Sequence, residues 1–215
     1  TKSMLAVKDF LRTSGSKVLL VITNRNIKVG DDNNIFSLNI VENVIAAISK
    51  ELQVAEPKIH YLQGADFAEQ KAKYLADVNT GSKIVVFTSY NTAGTGQNLQ
   101  YEDDSDLKDI DSIYVEEPRN ILVNCREFVD EKSLLKYIYQ IESLQATGEI
   151  AGIVADQTIR SAFSKYMAPY KSTKSDDIFF DNKPYNTTSV NNHKVKVLIQ
   201  AIGRICRTSN KNSSI

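Results

Sequence analysis

The sequence predicts an α/β protein built on a parallel sheet flanked by helices. Three observations carry that prediction. Residues 17–23 and 83–87 are near-continuous apolar runs, the pattern of strands buried on both faces, as in parallel sheets. The stretches between such runs place apolar residues at helical spacing. Polar or glycine-rich residues follow the runs directly, at the strand ends where open α/β sheets hold their ligands.

Taken in order, residues 3–13 set Met4, Leu5, Phe10 and Leu11 along one helical side, and Ser14-Gly15-Ser16 stops that helix. The strand 17–23 ends in Asn24-Arg25-Asn26, and 27–38 is a polar loop. Ile40, Val41, Val44, Ile45, Ile48 and Leu52 predict an amphipathic helix over 39–53, ended by Pro57. Residues 59–62 form a short strand, in which His60 reads as structural, and Gly64 turns the chain. A helix over 67–78 closes at Asn79-Thr80-Gly81. The next strand, 83–87, runs straight into Thr88-Ser89 and the Gly94-x-Gly96 loop, whose backbone can approach an anion closely.

Residues 101–106 read as a solvated acidic loop, and 111–115 as a fourth strand leaving through Glu116-Glu117-Pro118. Beyond it, 121–124 is a candidate short strand. Asp130 caps a helix with Leu134, Leu135, Ile138 and Ile141 as its apolar stripe and Tyr137 beside them. Another helix covers 150–168, and 171–192 reads as loop. Lys165, Tyr166, Tyr170, Lys171 and Lys174 mix bases with aromatics, either as a nucleic-acid strip or as ordinary surface.

The last helix divides by face. Gln200, Gly203, Arg204 and Arg207 fall at i, i+3, i+4 and i+7 on one side. Val195, Leu198, Ala201, Ile202, Ile205 and Cys206 fall opposite and are expected to anchor the helix in a core. A guanidinium stays charged, and its planar fork matches phosphate oxygens.

The pattern Gln200-x-x-Gly203-Arg204-x-x-Arg207 resembles motif VI of superfamily-2 helicases and translocases, and 86–99 resembles motif V of the same group. The flavour is that of the Swi2/Snf2-like and restriction-enzyme-like branches. By the same resemblance, Thr23, Asn24 and Arg25 correspond to motif IV. The resemblance implies a RecA-like parallel sheet over 1–116 plus 190–215, interrupted by a helical and loop insertion over 117–189. It implies the second, C-terminal motor domain of an ATP-dependent helicase or translocase. Arg204 and Arg207 would then be arginine fingers, with Gln200 placing the nucleotide or water. Gly94, Gly96, Asn98 and Gly203 would lie at the nucleotide. Thr23, Asn24, Arg25, Thr88 and Ser89 would face nucleic acid, with DNA favoured over RNA. Many helicases carry Asp where this chain has Asn98. ATP and Mg2+ would be held mainly by an N-terminal RecA-like domain of the same protein. No Gly-x-x-x-x-Gly-Lys-Ser/Thr occurs in this sequence, so the chain alone is expected not to hydrolyse ATP. The alternatives are a stand-alone nucleotide- or phosphosugar-binding α/β domain and a degenerate RecA-like module kept for protein contacts.

Composition limits the partners. With 26 basic and 26 acidic residues, any nucleic-acid binding must come from a local patch. Two distant cysteines, Cys125 and Cys206, read as reduced thiols, and two histidines without a cysteine cluster argue against a metal site. No long apolar run or signal peptide is present, so no membrane partner and a cytoplasmic location are expected. The absence of Met at position 1 and the ending soon after Arg207 suggest a piece of a longer protein.

Overall fold

The computed structural model describes residues 2–27, 37–93, 99–103, 106–118, 130–167 and 183–203. The chain divides into two compact units, Thr1–Pro118 with Leu198–Ile215, and Arg119–Val197.

The first unit is α/β with a parallel four-stranded sheet flanked by helices. Its strands are β1 (Val18–Thr23), β2 (Lys58–Leu62), β3 (Ile84–Ser89) and, after a small hairpin, β6 (Ser112–Val115). They lie in the order β2-β3-β1-β6, all parallel. Every residue of β1 and of β3 is buried, as the apolar runs require. Alternate side chains feed two cores. On one face Leu19, Val21, Val85 and Phe87 pack on Val7 and Phe10 of α1 (Lys2–Arg12) and on Val41 and Ile45 of α2 (Leu38–Leu52). On the other, Leu20, Ile22 and Val86 meet Tyr74 and Val78 of α3 (Phe67–Val78), with Tyr101 and Ile110. Each fully buried aliphatic side chain contributes about 1.5–3 kcal/mol.

Local chemistry fixes the ends of these elements. Ser37 caps α2, its hydroxyl accepting from the Ile40 N–H. Gln53 closes the same helix in the left-handed region, donating to Lys50 and Ser49 carbonyls. The Lys83 ammonium takes the Phe10 and Thr13 carbonyls at the end of α1 and lies 4.5 Å from the Phe10 ring centroid, a cation where the helix carbonyls point. Gly81, at φ +78°, turns the chain between α3 and β3.

Several expectations are corrected. Residues 101–106 are not simply solvated loop. They begin an antiparallel hairpin of β4 (Tyr101–Asp103) and β5 (Asp106–Lys108), and Tyr101 is buried in the core. In α1, Leu5 is exposed and Val7 takes the core position. Residues 188–192 belong to α7 (Thr188–Gly203), not to a loop. Val195 (52% exposed) and Ile202 (44%) do not anchor that helix, and Ala201 is its buried residue in the sheet core.

The second unit is built on α5 (Glu131–Ala146), α6 (Gly152–Met167) and the start of α7. Leu134, Tyr137, Ile141 and Leu144 of α5 face Ala155 and Ala162 of α6 and Val190 of α7. Leu135, predicted inside, is exposed, because the true stripe runs through Tyr137 and Leu144. Asp130 caps α5 through the Ser133 N–H, and the Glu149 carboxylate accepts from the Ser189 N–H and hydroxyl in the first turn of α7. The candidate strand 121–124 lies outside the described residues.

Asp111 holds the start of the central strand. Its carboxylate accepts the Lys17 and Val18 N–H groups at 2.8 and 2.9 Å and the Tyr101 hydroxyl at 3.2 Å. Asp111→Ala leaves two backbone donors and a buried phenol without that acceptor. It is expected to destabilise the chain by about 2 kcal/mol, with Asp111→Asn losing less, as read by urea unfolding.

Candidate functional site at the carboxyl ends of β1 and β3

Strand order makes a topological switch point, where such sheets carry a crevice. The connection after β1 runs through α2 on one face of the sheet toward β2, while that after β3 runs through the β4–β5 hairpin on the other face toward β6. The chain therefore leaves two adjacent strands in opposite directions, the switch point at whose carboxyl ends open α/β sheets hold their ligands. Pairing of Ile22 with Thr88 and of Thr23 with Ser89 brings the two ends level.

Thr23, Asn24, Arg25, Thr88 and Ser89 are thus gathered at one sheet edge. Their side chains differ in what they offer. The Thr23 hydroxyl, 3% exposed, donates to the Arg25 carbonyl at 2.7 Å and lies 3.2 Å from the Thr88 carbonyl. The Thr88 hydroxyl donates to the Leu62 carbonyl at 3.0 Å, and Ser89 Oγ, 1% exposed, lies 3.3 Å from Thr92 Oγ1. These hydroxyls are spent inside the protein and shape the floor of the crevice. Arg25 and Asn26 are exposed at its rim.

Two further residues complete the edge. Glu116 continues the ladder beyond β6, its N–H donating to the Ile22 carbonyl at 2.9 Å, and its carboxylate accepts the Asn24 N–H at 2.8 Å. The Tyr90 hydroxyl, at the start of the short helix α4 (Tyr90–Ala93), donates to the Glu116 carbonyl. Burial, with the Glu116 charge nearby, pushes the Tyr90 phenol well above its ordinary range. No spacing rule pointed to either residue, because only the strand order sets them beside Asn24.

Gln200 and Gly203 are exposed on α7, and a Cβ at Gly203 would meet nothing within 4 Å. Gly94, Gly96, Asn98, Arg204 and Arg207 lie outside the described residues. So do Tyr170, Lys171 and Lys174 of the basic-aromatic stretch, whose Tyr166 packs against the helical core of the second unit. Among the described residues no cluster of His, Cys, Asp and Glu could hold a metal ion. Among them, too, no helix is long and apolar enough to cross a membrane.

No family model matches the chain, and no curated protein matches it.

A second group of titratable side chains sits away from the crevice, between β2 and α3. His60 Nε2 lies 3.0 Å from Asp77 Oδ2, without hydrogen-bond alignment, and Lys58 Nζ lies 2.6 Å from Asp77 Oδ1. The His60 ring meets Tyr74 edge-on at 6.0 Å. Burial lowers the His60 pKa more than Asp77 raises it. The unfolded chain then takes up a proton that the folded chain refuses, so stability rises with pH through that interval. His60 thus contributes nothing unfavourable above its ordinary value near about 6.5 and destabilises the fold as pH falls below it. His60→Gln is expected to shrink the drop in urea midpoint between about pH 7.5 and about pH 5.5.

Proposed function

We propose that this chain is the C-terminal motor domain of an ATP-dependent nucleic-acid helicase or translocase. The observation that carries the reading is the juxtaposition of Thr23-Asn24-Arg25 with Thr88-Ser89 at the switch point of a parallel sheet. Both segments resemble motifs of one motor family, and they lie side by side in the sheet. The Gln200-x-x-Gly203-Arg204-x-x-Arg207 pattern follows on the same chain, with Gln200 and Gly203 open to a ligand.

In this reading the rim at Arg25 and Asn26 meets the sugar–phosphate backbone. Such contacts position nucleic acid without reading its sequence and weaken steeply with salt. Arg204 and Arg207 hold the phosphate oxygens of ATP, and Gln200 orients the nucleotide or the water. Charge developing on the transferring phosphoryl group is the chemistry those guanidinium groups stabilise. The sequence carries no Gly-x-x-x-x-Gly-Lys-Ser/Thr, and in this reading an N-terminal RecA-like domain supplies the phosphate loop and holds the metal.

The test uses the full-length protein. Arg204→Ala and Arg207→Ala are each expected to lower single-turnover ATP hydrolysis by about 10³-fold while nucleotide still binds. Lys at either position is expected to rescue poorly, because an ammonium cannot reproduce the fork. Near wild-type hydrolysis in both Ala variants would reduce the helix to a solvated basic face and remove the motor reading. Hydrolysis by residues 1–215 alone, abolished by a substitution within them, would favour a self-sufficient nucleotide-binding domain instead.

A further inference from the structure

We propose that Glu116 is a positioning residue that sets the nucleic-acid-facing turn at the end of β1. What the turn meets rests on the functional reading above, whereas its dependence on Glu116 rests on hydrogen bonds alone.

Three polar groups of Glu116 are used at this one edge. Its N–H holds the Ile22 carbonyl, its carbonyl takes the Tyr90 hydroxyl, and its carboxylate takes the Asn24 N–H. The next residue adds a fourth bond, with Asn24 Nδ2 donating to the Glu117 carbonyl at 2.8 Å. Asn24 is therefore fixed through its backbone by one residue and through its side chain by the next. Beyond it, the Thr23 hydroxyl on the Arg25 carbonyl closes the turn from inside.

The pairing of β1 with β6 ends at Ile22 with Val115, and Glu116 N–H to Ile22 is its last main-chain bond. Had the ladder continued, the Asn24 N–H would have met a backbone carbonyl. A carboxylate takes that place, so β1 stops there and Arg25 turns outward. A hydrogen bond to an ionised acceptor is roughly twice as strong as a neutral one, which suits a point where the strand must end at a fixed residue. The same negative charge opposes a phosphate nearby. Its presence at this edge is thus a cost to anion binding, offset by the ordering of the turn that presents Arg25.

The experiment compares Glu116→Ala, Glu116→Gln and wild type in the full-length protein, with double-stranded DNA as the probe. Amide exchange at Asn24 and Arg25 is measured in each, beside DNA-stimulated ATP hydrolysis. Ala is expected to speed exchange at these amides without affecting those of β3. It should raise the half-saturating DNA concentration about tenfold, as expected if the turn is ordered only about a tenth of the time without that bond. Turnover at saturating DNA should stay within about twofold, since the change lies in positioning and not in the reacting groups. Gln keeps an acceptor oxygen and is expected to restore most of both effects. Unchanged exchange in the Ala variant overturns the proposal. So does tighter DNA binding by Ala, which would make the carboxylate merely repulsive, and so does an equal loss in Ala and Gln. A wild-type protein without DNA-stimulated hydrolysis would instead sink the motor reading, and the exchange measurement would still decide the role of Glu116.

Discussion

The fold depends on the complete enclosure of β1. Its six residues are buried, β3 pairs with one edge and β6 with the other, and each face carries its own apolar core. A strand so enclosed offers no side chain to solvent along its length. Backbone donors and acceptors at its two ends lose their ladder partners and must find others. Two carboxylates supply them. Asp111, just before β6, takes the Lys17 and Val18 N–H groups, and Glu116, just after β6, takes the Asn24 N–H. The short strand β6 is thus bracketed by acids that pin opposite ends of its neighbour. Asp111 thus fixes where the strand begins and Glu116 where it ends.

The two central strands were legible because burial on both faces leaves an unbroken apolar run, whereas β2 and β6 are only half-buried and gave a shorter, weaker signal. Helix faces were less legible. Leu5, Leu135, Val195 and Ile202 all sit at helical spacing with core residues yet lie in solvent. A helix carrying apolar residues on more than one side does not announce which side the protein covers, and only tertiary packing decides. The β4–β5 hairpin was hidden for a different reason. Its sequence is acidic, and its hold on the core comes through Tyr101, whose hydroxyl lies 3.2 Å from the Asp111 oxygens. Side-chain pairs of that kind leave no periodicity to read.

The crevice was half legible. Residues at the ends of β1 and β3 could be named from the chain, because a polar turn after a buried strand is visible in one dimension. Glu116 and Tyr90 could not, since their relation to Asn24 depends on β6 and β3 flanking β1, which spacing does not encode. The sequence also could not distinguish hydroxyls that face a ligand from those that face the protein. Thr23 and Thr88 look alike on paper to Asn26, yet their side chains bond to carbonyls within the sheet.

That inward turn bears on what kind of recognition the edge supports. With the hydroxyls of Thr23 and Thr88 committed, the exposed groups among the described residues of this turn are the side chains of Arg25 and Asn26. A guanidinium suits phosphate oxygens, which are the same at every nucleotide. Reading a base edge requires a side chain aimed into a groove with a fixed donor and acceptor pattern, and the Thr23 and Thr88 hydroxyls, already bonded to carbonyls of the protein, do not supply it. Arg25 next to a residue held by the Glu116 carboxylate binds an anion weakly by itself. Under the motor reading such weakness is appropriate, because a domain that moves along a polymer must release each phosphate it holds, and a tight, sequence-reading grip would stop it.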